Sequence, residues 1–266
     1  MPRIAIISDV HEDILSLTKA LKMIELEKCD AVFCLGDITG YPFLRGKYEA
    51  TRDLSACIKL LRKSCSIITP GNHDLFHLRK IPAYNPDAMI SENWFNLPND
   101  EKLSTTGGKI WNYSDDYPVI LSEEEYAYLN SLPEFAIRDF GDRKVLFSHH
   151  VFPDITGMIN GFSNDPEKMN RHIDFLKQND CNLSISGHMH IEGLGIFYEQ
   201  GEGLLSQIFG GFNYYSFGER KLKSRYCAIS IPALADNGQV NGFAILDTAQ
   251  QTIRAITLNT NRKFIL

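Results

Sequence analysis

Five short apolar runs, each stopped by polar side chains of the kind that bind metal ions, constrain this chain more than any other feature. They cover residues 4–7 before Ser8-Asp9-Val10-His11, 31–35 before Gly36-Asp37, 66–69 before Pro70-Gly71-Asn72-His73-Asp74, 144–147 before Ser148-His149-His150, and 182–186 before Gly187-His188-Met189-His190. Runs of this length, rich in Ile and Val and bounded by Gly or Pro, read as buried strands. Helical stripes separate some of them. Ile14, Leu17, Leu21 and Ile24 line one face of residues 14–26, Cys57, Ile58 and Leu61 one face of 54–61, and a third helix is expected over 169–176. Alternating strands and helices predict parallel strands with right-handed crossovers. In such sheets functional groups gather beyond the carboxyl ends of the strands. Asp9, His11, Asp37, Asn72, His73, His149, His188 and His190 are therefore expected to converge.

The rest of the chain is organised differently. Residues 75–142 hold several prolines, both tryptophans and many tyrosines and asparagines, and read as an elaboration between the third and fourth core strands. Such segments often cover a site and shape its specificity. Within it Ser122-Glu123-Glu124-Glu125 reads as an N-cap and an acidic first turn, predicting a helix over 123–132. From about residue 195 the pattern becomes β-rich, with strands expected at 196–198, 204–209, 226–231, 242–247 and 252–258. Consecutive strands without helices predict antiparallel pairing, as a second sheet or an extension of the first.

The eight strand-end residues offer carboxylate oxygen, amide oxygen and imidazole nitrogen, a set that suits Mn, Fe or Zn. None of the six cysteines forms a C-x-x-C pair, which argues against a thiolate zinc site. Seven of the eight make two four-ligand sets if one carboxylate gives an oxygen to each ion. The eighth, a histidine, is then left for proton or charge work. Each motif alone is weak, because Gly-Asp and Gly-Asn are ordinary turn dipeptides. Their joint occurrence at successive strand ends is poorly explained by chance.

As an ordered set these motifs resemble the signature of the calcineurin-like metallophosphoesterases: Asp9-Val10-His11, Gly36-Asp37, Gly71-Asn72-His73-Asp74, a strand-end His149, and Gly187-His188-Met189-His190. Ile7-Ser8-Asp9-Val10-His11 and Gly36-Asp37-Ile38-Thr39-Gly40-Tyr41 look most like the prokaryotic branch of small phosphodiesterases and relatives of diadenosine tetraphosphate hydrolases. One departure stands out. The fourth motif of the family is usually His-Gly, and here it is His149-His150. That leaves His149 as the ligand by position, and His150 either to compete with it or to contact substrate.

The resemblance implies an α/β fold, a four-layer α/β/β/α sandwich with two mixed β-sheets flanked by helices, built as a single domain over residues 1–266. It implies that Asp9, His11 and His190 hold one metal ion, that Asn72, His149 and His188 hold a second, and that Asp37 bridges them. His73 would sit beside the substrate phosphate. Asp74 either orients His73 or caps the following turn. Two divalent or trivalent ions (Mn, Fe or Zn) roughly 3.5–4 Å apart can hold a bridging hydroxide for attack on phosphorus. A protonated His73 would add general-acid help of ~10²–10⁴-fold. The expected reaction is hydrolysis of a phosphate ester or anhydride, as a phosphodiesterase or nucleotide pyrophosphohydrolase. A phosphomonoesterase (protein phosphatases included) and a non-catalytic metal-binding scaffold are the competing readings.

Charge and composition bound the partners. A formal net charge of −6 without any block of Lys or Arg argues against stable nucleic-acid binding or an anionic membrane surface. The expected partner is a small phosphorylated substrate, with a nucleotide as one such molecule. No apolar run approaches the length of a membrane span, and the six cysteines are read as reduced, so the expected setting is cytoplasmic. Oligomeric state is not legible. Arg45 is a weaker candidate for phosphate contact, with a solvated surface role the commoner one. Phe209, Phe212, Tyr214, Tyr215 and Phe217 either stack on a base or pack their strands, and Gly210-Gly211 beside them would allow a close backbone approach. His77 and His172 lie outside the signature and read as structural or surface residues.

Overall fold

The computed structural model describes residues 1–41, 48–84, 90–114, 116–159, 166–199, 212–223 and 226–258. The expected strand at 204–209, Arg45, Phe209 and Gly210-Gly211 lie outside them. Two mixed six-stranded sheets form the centre. The first contains β1 (Arg3–Ile7), β2 (Ala31–Cys34), β3 (Ile67–Ile68), β9 (Gly218–Lys221), β11 (Gly242–Asp247) and β12 (Thr252–Thr257), in the order β3-β2-β1-β11-β12-β9. The second contains β4 (Phe135–Asp139), β5 (Lys144–Ser148), β6 (Leu183–Ser186), β7 (Leu194–Tyr198), β8 (Phe212–Tyr215) and β10 (Cys227–Ser230), in the order β4-β5-β6-β10-β7-β8.

Each motif-bearing strand lies parallel to another one. β1 pairs with β2 and β2 with β3 in the first sheet, and β5 pairs with β6 in the second. Their carboxyl ends therefore open on the same side within each sheet. The C-terminal strands do not make a sheet of their own. They extend both sheets, and β10 runs parallel to β6 while the others pair antiparallel.

Alternation along β1 shows how the layers form. Ile4 and Ile6 point between the sheets and join Phe33, Phe147, Ile185 and Ile229 in the inter-sheet core. Ala5 and Ile7 point the other way, onto Leu17, Ala20 and Ile24 of helix α1 (Ile14–Leu26) and Cys57, Ile58 and Leu61 of helix α2 (Leu54–Ser64). On the far side, Leu146, Phe197 and Ala228 of the second sheet pack on Met169, Ile173 and Leu176 of helix α6 (Pro166–Gln178). The result is helix, sheet, sheet, helix. Burying one large apolar side chain contributes ~1.5–3 kcal/mol, so strands buried on both faces are held firmly in register. Phe33 and Phe147 meet edge to face across the sheets at 4.9 Å.

Among the described residues, three α-helices lie between β3 and β4: α3 (Asn72–Leu78), α4 (Asn99–Thr106) and α5 (Glu123–Asn130). The side chain of Ser122 caps α5 and Glu125 answers it. The helix stops at Asn130, short of the expected 132. Pro133 follows, and the residue before a proline is biased away from helical backbone. α4 has no apolar stripe, since only Lys102 and Thr106 are buried. β4 lies inside the segment expected as an elaboration and forms one edge of the second sheet. Arg138 and Asp139 are exposed on it, as is common for an edge strand. No helix among the described residues is long and apolar enough to cross a membrane.

Candidate metal centre

The turns after the strands are set in unusual backbone conformations. Asp9, His11, Asp37, His188 and His190 all have positive φ, between 44° and 66°. A left-handed conformation costs a non-glycine residue roughly 1–2 kcal/mol. Cross-links between the turns hold them there. Asp9 N donates to Gly36 O at 3.0 Å, His11 N to Asp37 O at 2.8 Å, Gly187 N to His149 O at 3.0 Å and Ala235 N to Asp9 O at 3.0 Å. Two glycines admit this crowding. A Cβ on Gly71 would lie 2.2 Å from Asp37 Oδ1, and one on Gly187 would lie 1.9 Å from Ser8 Oγ.

These turns bring all seven residues expected as ligands together. In one group Asp9, His11, Asp37 and His190 each place a donor atom within 4.8 Å of the others, and Asp37, His149 and His188 do so in a second. Asp37 belongs to both. Its Oδ1 accepts the His73 backbone N–H at 2.9 Å. Its Oδ2 lies 3.7 Å from His11 Nε2 and 3.3 Å from His149 Nε2, facing both groups. Asp9 Oδ1 lies 3.1 Å from His190 Nε2. Asn72 Oδ1 lies 2.9 Å from His149 Nε2 and 3.0 Å from His188 Nδ1, which adds an amide oxygen to the second group.

Backbone carbonyls decide which ring nitrogens face inward. Nδ1–H of His11 donates to Gly40 O at 2.7 Å, and Nδ1–H of His149 to Leu35 O at 2.6 Å. A neutral imidazole carries one N–H, so Nε2 of each ring then presents a lone pair to the cluster. Nε2 of His11 faces Nε2 of His190 at 3.2 Å, and Nε2 of His149 faces Nδ1 of His188 at 3.3 Å. Lone pairs and carboxylate oxygens converge on the same small spaces with almost no solvent: Asp9 and His149 are fully buried, and Asp37 is 2% exposed. Such a concentration of electron pairs needs positive charge.

The protonation equilibria show the same demand. Burial alone would raise the Asp9 and Asp37 carboxyl pKa values, but the facing histidines outweigh it and hold both well below the ordinary range. Burial opposes a charge on His149, yet Asp37 and then Asp9 overcome it and push its pKa up to about 9. His11 and His188 go the other way, depressed first by burial, with His188 at about 3. The donor set and its fixed ring orientations fit two metal ions sharing Asp37.

His73 stands at the rim. Its ring lies edge-on to His11 at 4.7 Å and tilted by 30° over Tyr113 at 3.7 Å. Asp74 does not reach that ring: its oxygens accept from the backbone N–H groups of Gly71, Ile38 and Thr39, so it caps α3 and pins the second motif to the third. Burial raises its pKa to about 6. His150 is buried behind His188, with ring centroids 4.4 Å apart, and belongs to neither ligand group. His172 is fully buried and structural. His77 is half-buried and shares a third cluster with His73 and Asp116.

Three neighbours were not legible in the sequence. Tyr113 accepts a short hydrogen bond from Asn72 Nδ2, which turns Asn72 Oδ1 toward the centre. Asp116 Oδ2 comes within 3.6 Å of His73 Nδ1. The Asn237 side-chain amide meets His190 Nδ1. Tyr113 and Asp116 come from a segment without periodicity, and Asn237 from Asp236-Asn237-Gly238, which reads as a plain turn. Of the aromatic cluster, Tyr215 and Phe217 pack partly against the inter-sheet core and Tyr214 is exposed.

Residues 2–192 match the family model described as calcineurin-like phosphoesterase. An uncharacterized protein of Methanocaldococcus jannaschii is 25% identical over 190 residues, 68% of this chain and 66% of that relative, so the match spans just under two thirds of the relative's length. A metallophosphoesterase from Sphaerobacter thermophilus superposes with a TM-score of 0.64 at 22% identity, covering 96% of this chain and 87% of that one. A hypothetical protein from Pyrococcus horikoshii superposes with a TM-score of 0.55 at 14% identity, covering 97% and 88%. These two solved structures share the fold.

Proposed function

This chain belongs to the calcineurin-like phosphoesterase family of metal-dependent hydrolases, and from that premise we propose that it cleaves a phosphodiester or a nucleotide pyrophosphate at a two-metal centre. The observation that carries the two-metal part is the pair of donor groups joined through Asp37. In this reading Asp9, His11 and His190 would hold one ion, Asn72, His149 and His188 would hold the other, and Asp37, whose Oδ2 faces both groups, would be shared between them. Ions bound there would neutralise phosphate charge and lower the pKa of water toward neutrality.

The chain's own residues do the rest. Gly40 O and Leu35 O lock two ligand rings in the tautomer that leaves Nε2 available, as hydrogen-bonded ligand imidazoles require. Tyr113 orients Asn72. Asp37 Oδ1 accepts the His73 backbone N–H, which keeps Oδ2 turned toward both groups. His73, at the rim against Tyr113, is positioned to meet a phosphate oxygen or the leaving group and to stabilise the charge that grows there. Its Nδ1 faces Asp116.

Preference for a diester over a monoester is supported by charge. Among the described residues, no lysine or arginine pairs with any of the seven ligands or with His73, and Arg52 is engaged with Glu12. A doubly charged monoester would have few cations besides the metals to meet it. A singly charged diester needs fewer. An intracellular setting is supported by the cysteines, none of which forms a disulfide. The test is a substrate panel with added Mn: bis-p-nitrophenyl phosphate, p-nitrophenyl phosphate and dinucleoside polyphosphates. The expected result is a kcat/KM for the diester or the dinucleotide at least ~10-fold above that for the monoester, a difference of about 1.4 kcal/mol. A monoester preference would overturn the substrate assignment.

A further inference from the structure

We propose that His73, His77 and Asp116 form a separate transition-metal site beside the main centre, one that takes a zinc-like divalent ion. The three residues each place a donor atom within 4.8 Å of the others. His73 and His77 are four residues apart on α3 and share one face of it. Asp116 reaches them from the segment between α4 and α5, with Oδ2 3.6 Å from His73 Nδ1. Ligands around one zinc ion sit at about 2.0–2.2 Å from it, so donors this close need only a small movement to share it.

Two further observations point to an occupant. Nδ1 of His73 and Nε2 of His77 are buried and have no hydrogen-bond partner among the described residues. An unsatisfied buried polar atom costs ~1–3 kcal/mol, and a bound cation would remove that cost for both rings. Gly40 leaves room beside the first of them. It has φ +80°, and a Cβ there would lie only 2.4 Å from His73 Nδ1. Two imidazoles and one carboxylate are a set that zinc accepts with a fourth position open. The side chains of His73 and Asp116 are 11% and 19% exposed, which gives an ion a way in. Imidazole-rich sites bind zinc more tightly than manganese, so zinc would enter this site in the manganese-loaded protein.

An ion on Nδ1 would keep the His73 ring from carrying the second proton, the one a general acid gives to the leaving group. Zinc should therefore inhibit. This consequence rests on the role proposed above for His73; the site itself does not. The experiment titrates manganese-loaded protein with zinc, removes loose ions and counts total metal per chain by mass spectrometry, with diester hydrolysis followed in parallel. Wild type is compared with His77→Gln and Asp116→Asn. Counting total metal makes any exchange of zinc into the main centre silent. Wild type is expected to hold one more ion per chain than either variant. The zinc concentration for half-inhibition should rise ~10-fold or more in the variants, the usual scale for losing a group that supports a metal. Equal metal content in wild type and a folded variant overturns the site. Two variants are used so that loss of folding in one leaves the other decisive. If wild type shows the extra ion yet hydrolyses no diester, the site stands and the proposed function falls.

Discussion

Replacing Tyr113 with phenylalanine isolates one support of the centre. The substitution keeps the ring that lies 3.7 Å from His73 and removes only the hydroxyl that accepts from Asn72 Nδ2. Asn72 is 2% exposed, so water cannot readily replace the lost partner. An unsatisfied buried donor costs ~1–3 kcal/mol. The amide can relieve that cost by rotating, which withdraws Oδ1 from the space it shares with His149 Nε2 and His188 Nδ1. Either way the second group of ligands is weakened. Loss of an outer partner of a metal ligand typically lowers metal affinity about 10–100-fold, or about 1.4–2.7 kcal/mol, which agrees with the cost of the orphaned donor. The assay is hydrolysis of bis-p-nitrophenyl phosphate as a function of Mn concentration. The half-saturating Mn should rise by that factor, with kcat at saturating Mn within a few-fold of wild type. A Mn dependence that does not move would refute the claim that Tyr113 acts through Asn72.

Two other perturbations probe the frame. Gly71→Ala would put a methyl group against Asp37 Oδ1 and leave every ligand in the sequence; activity should fall on the order of 10²-fold, the scale of a misplacement near 1 Å, with ~1–3 kcal/mol lost in urea unfolding from overpacking. Wild-type activity in that variant would mean the turn is not as tight as described. His172 is buried between Phe152 N, which donates to its Nδ1, and Ser184 Oγ, and burial pushes its pKa down to about 3. The unfolded chain, near 6.5, takes up the proton first, so stability is present above about pH 6.5 and is lost as pH falls toward 3. His172→Gln should lose about 2 kcal/mol less than wild type between pH 7 and pH 5 by urea unfolding, and parallel losses would contradict the assignment.

The motif-bearing strands and the convergence of the seven candidate ligand residues were legible because the information is local. A buried strand needs a short apolar run, and a ligand at its end lies within a few residues of that run. The four layers followed from the family resemblance of those motifs, and the structure shows how the pattern supports them: Ile4 and Ile6 serve one face of β1 while Ala5 and Ile7 serve the other. What escaped lacked a local signal. α3 starts on the third motif itself, so its first residues read as site and turn. α4 is polar nearly all round, and β9 is a short polar edge strand with two exposed residues. Tyr113, Asp116 and Asn237 reach the centre through tertiary packing alone. Asp74 illustrates the limit within a motif, because its neighbours along the chain did not reveal that Ile38 and Thr39 would bring their N–H groups to it.

The central claim is that Asp37 joins two metal-binding groups into one hydrolytic centre. Asp37→Asn tests it most directly, with metal content and turnover measured on the same samples after loading with Mn. The amide cannot give a negatively charged oxygen to both groups, so bound Mn should fall and hydrolysis of bis-p-nitrophenyl phosphate should drop on the order of 10²-fold or more, the loss expected when charge stabilisation in the transition state is removed. Undiminished turnover with full metal content would contradict the account.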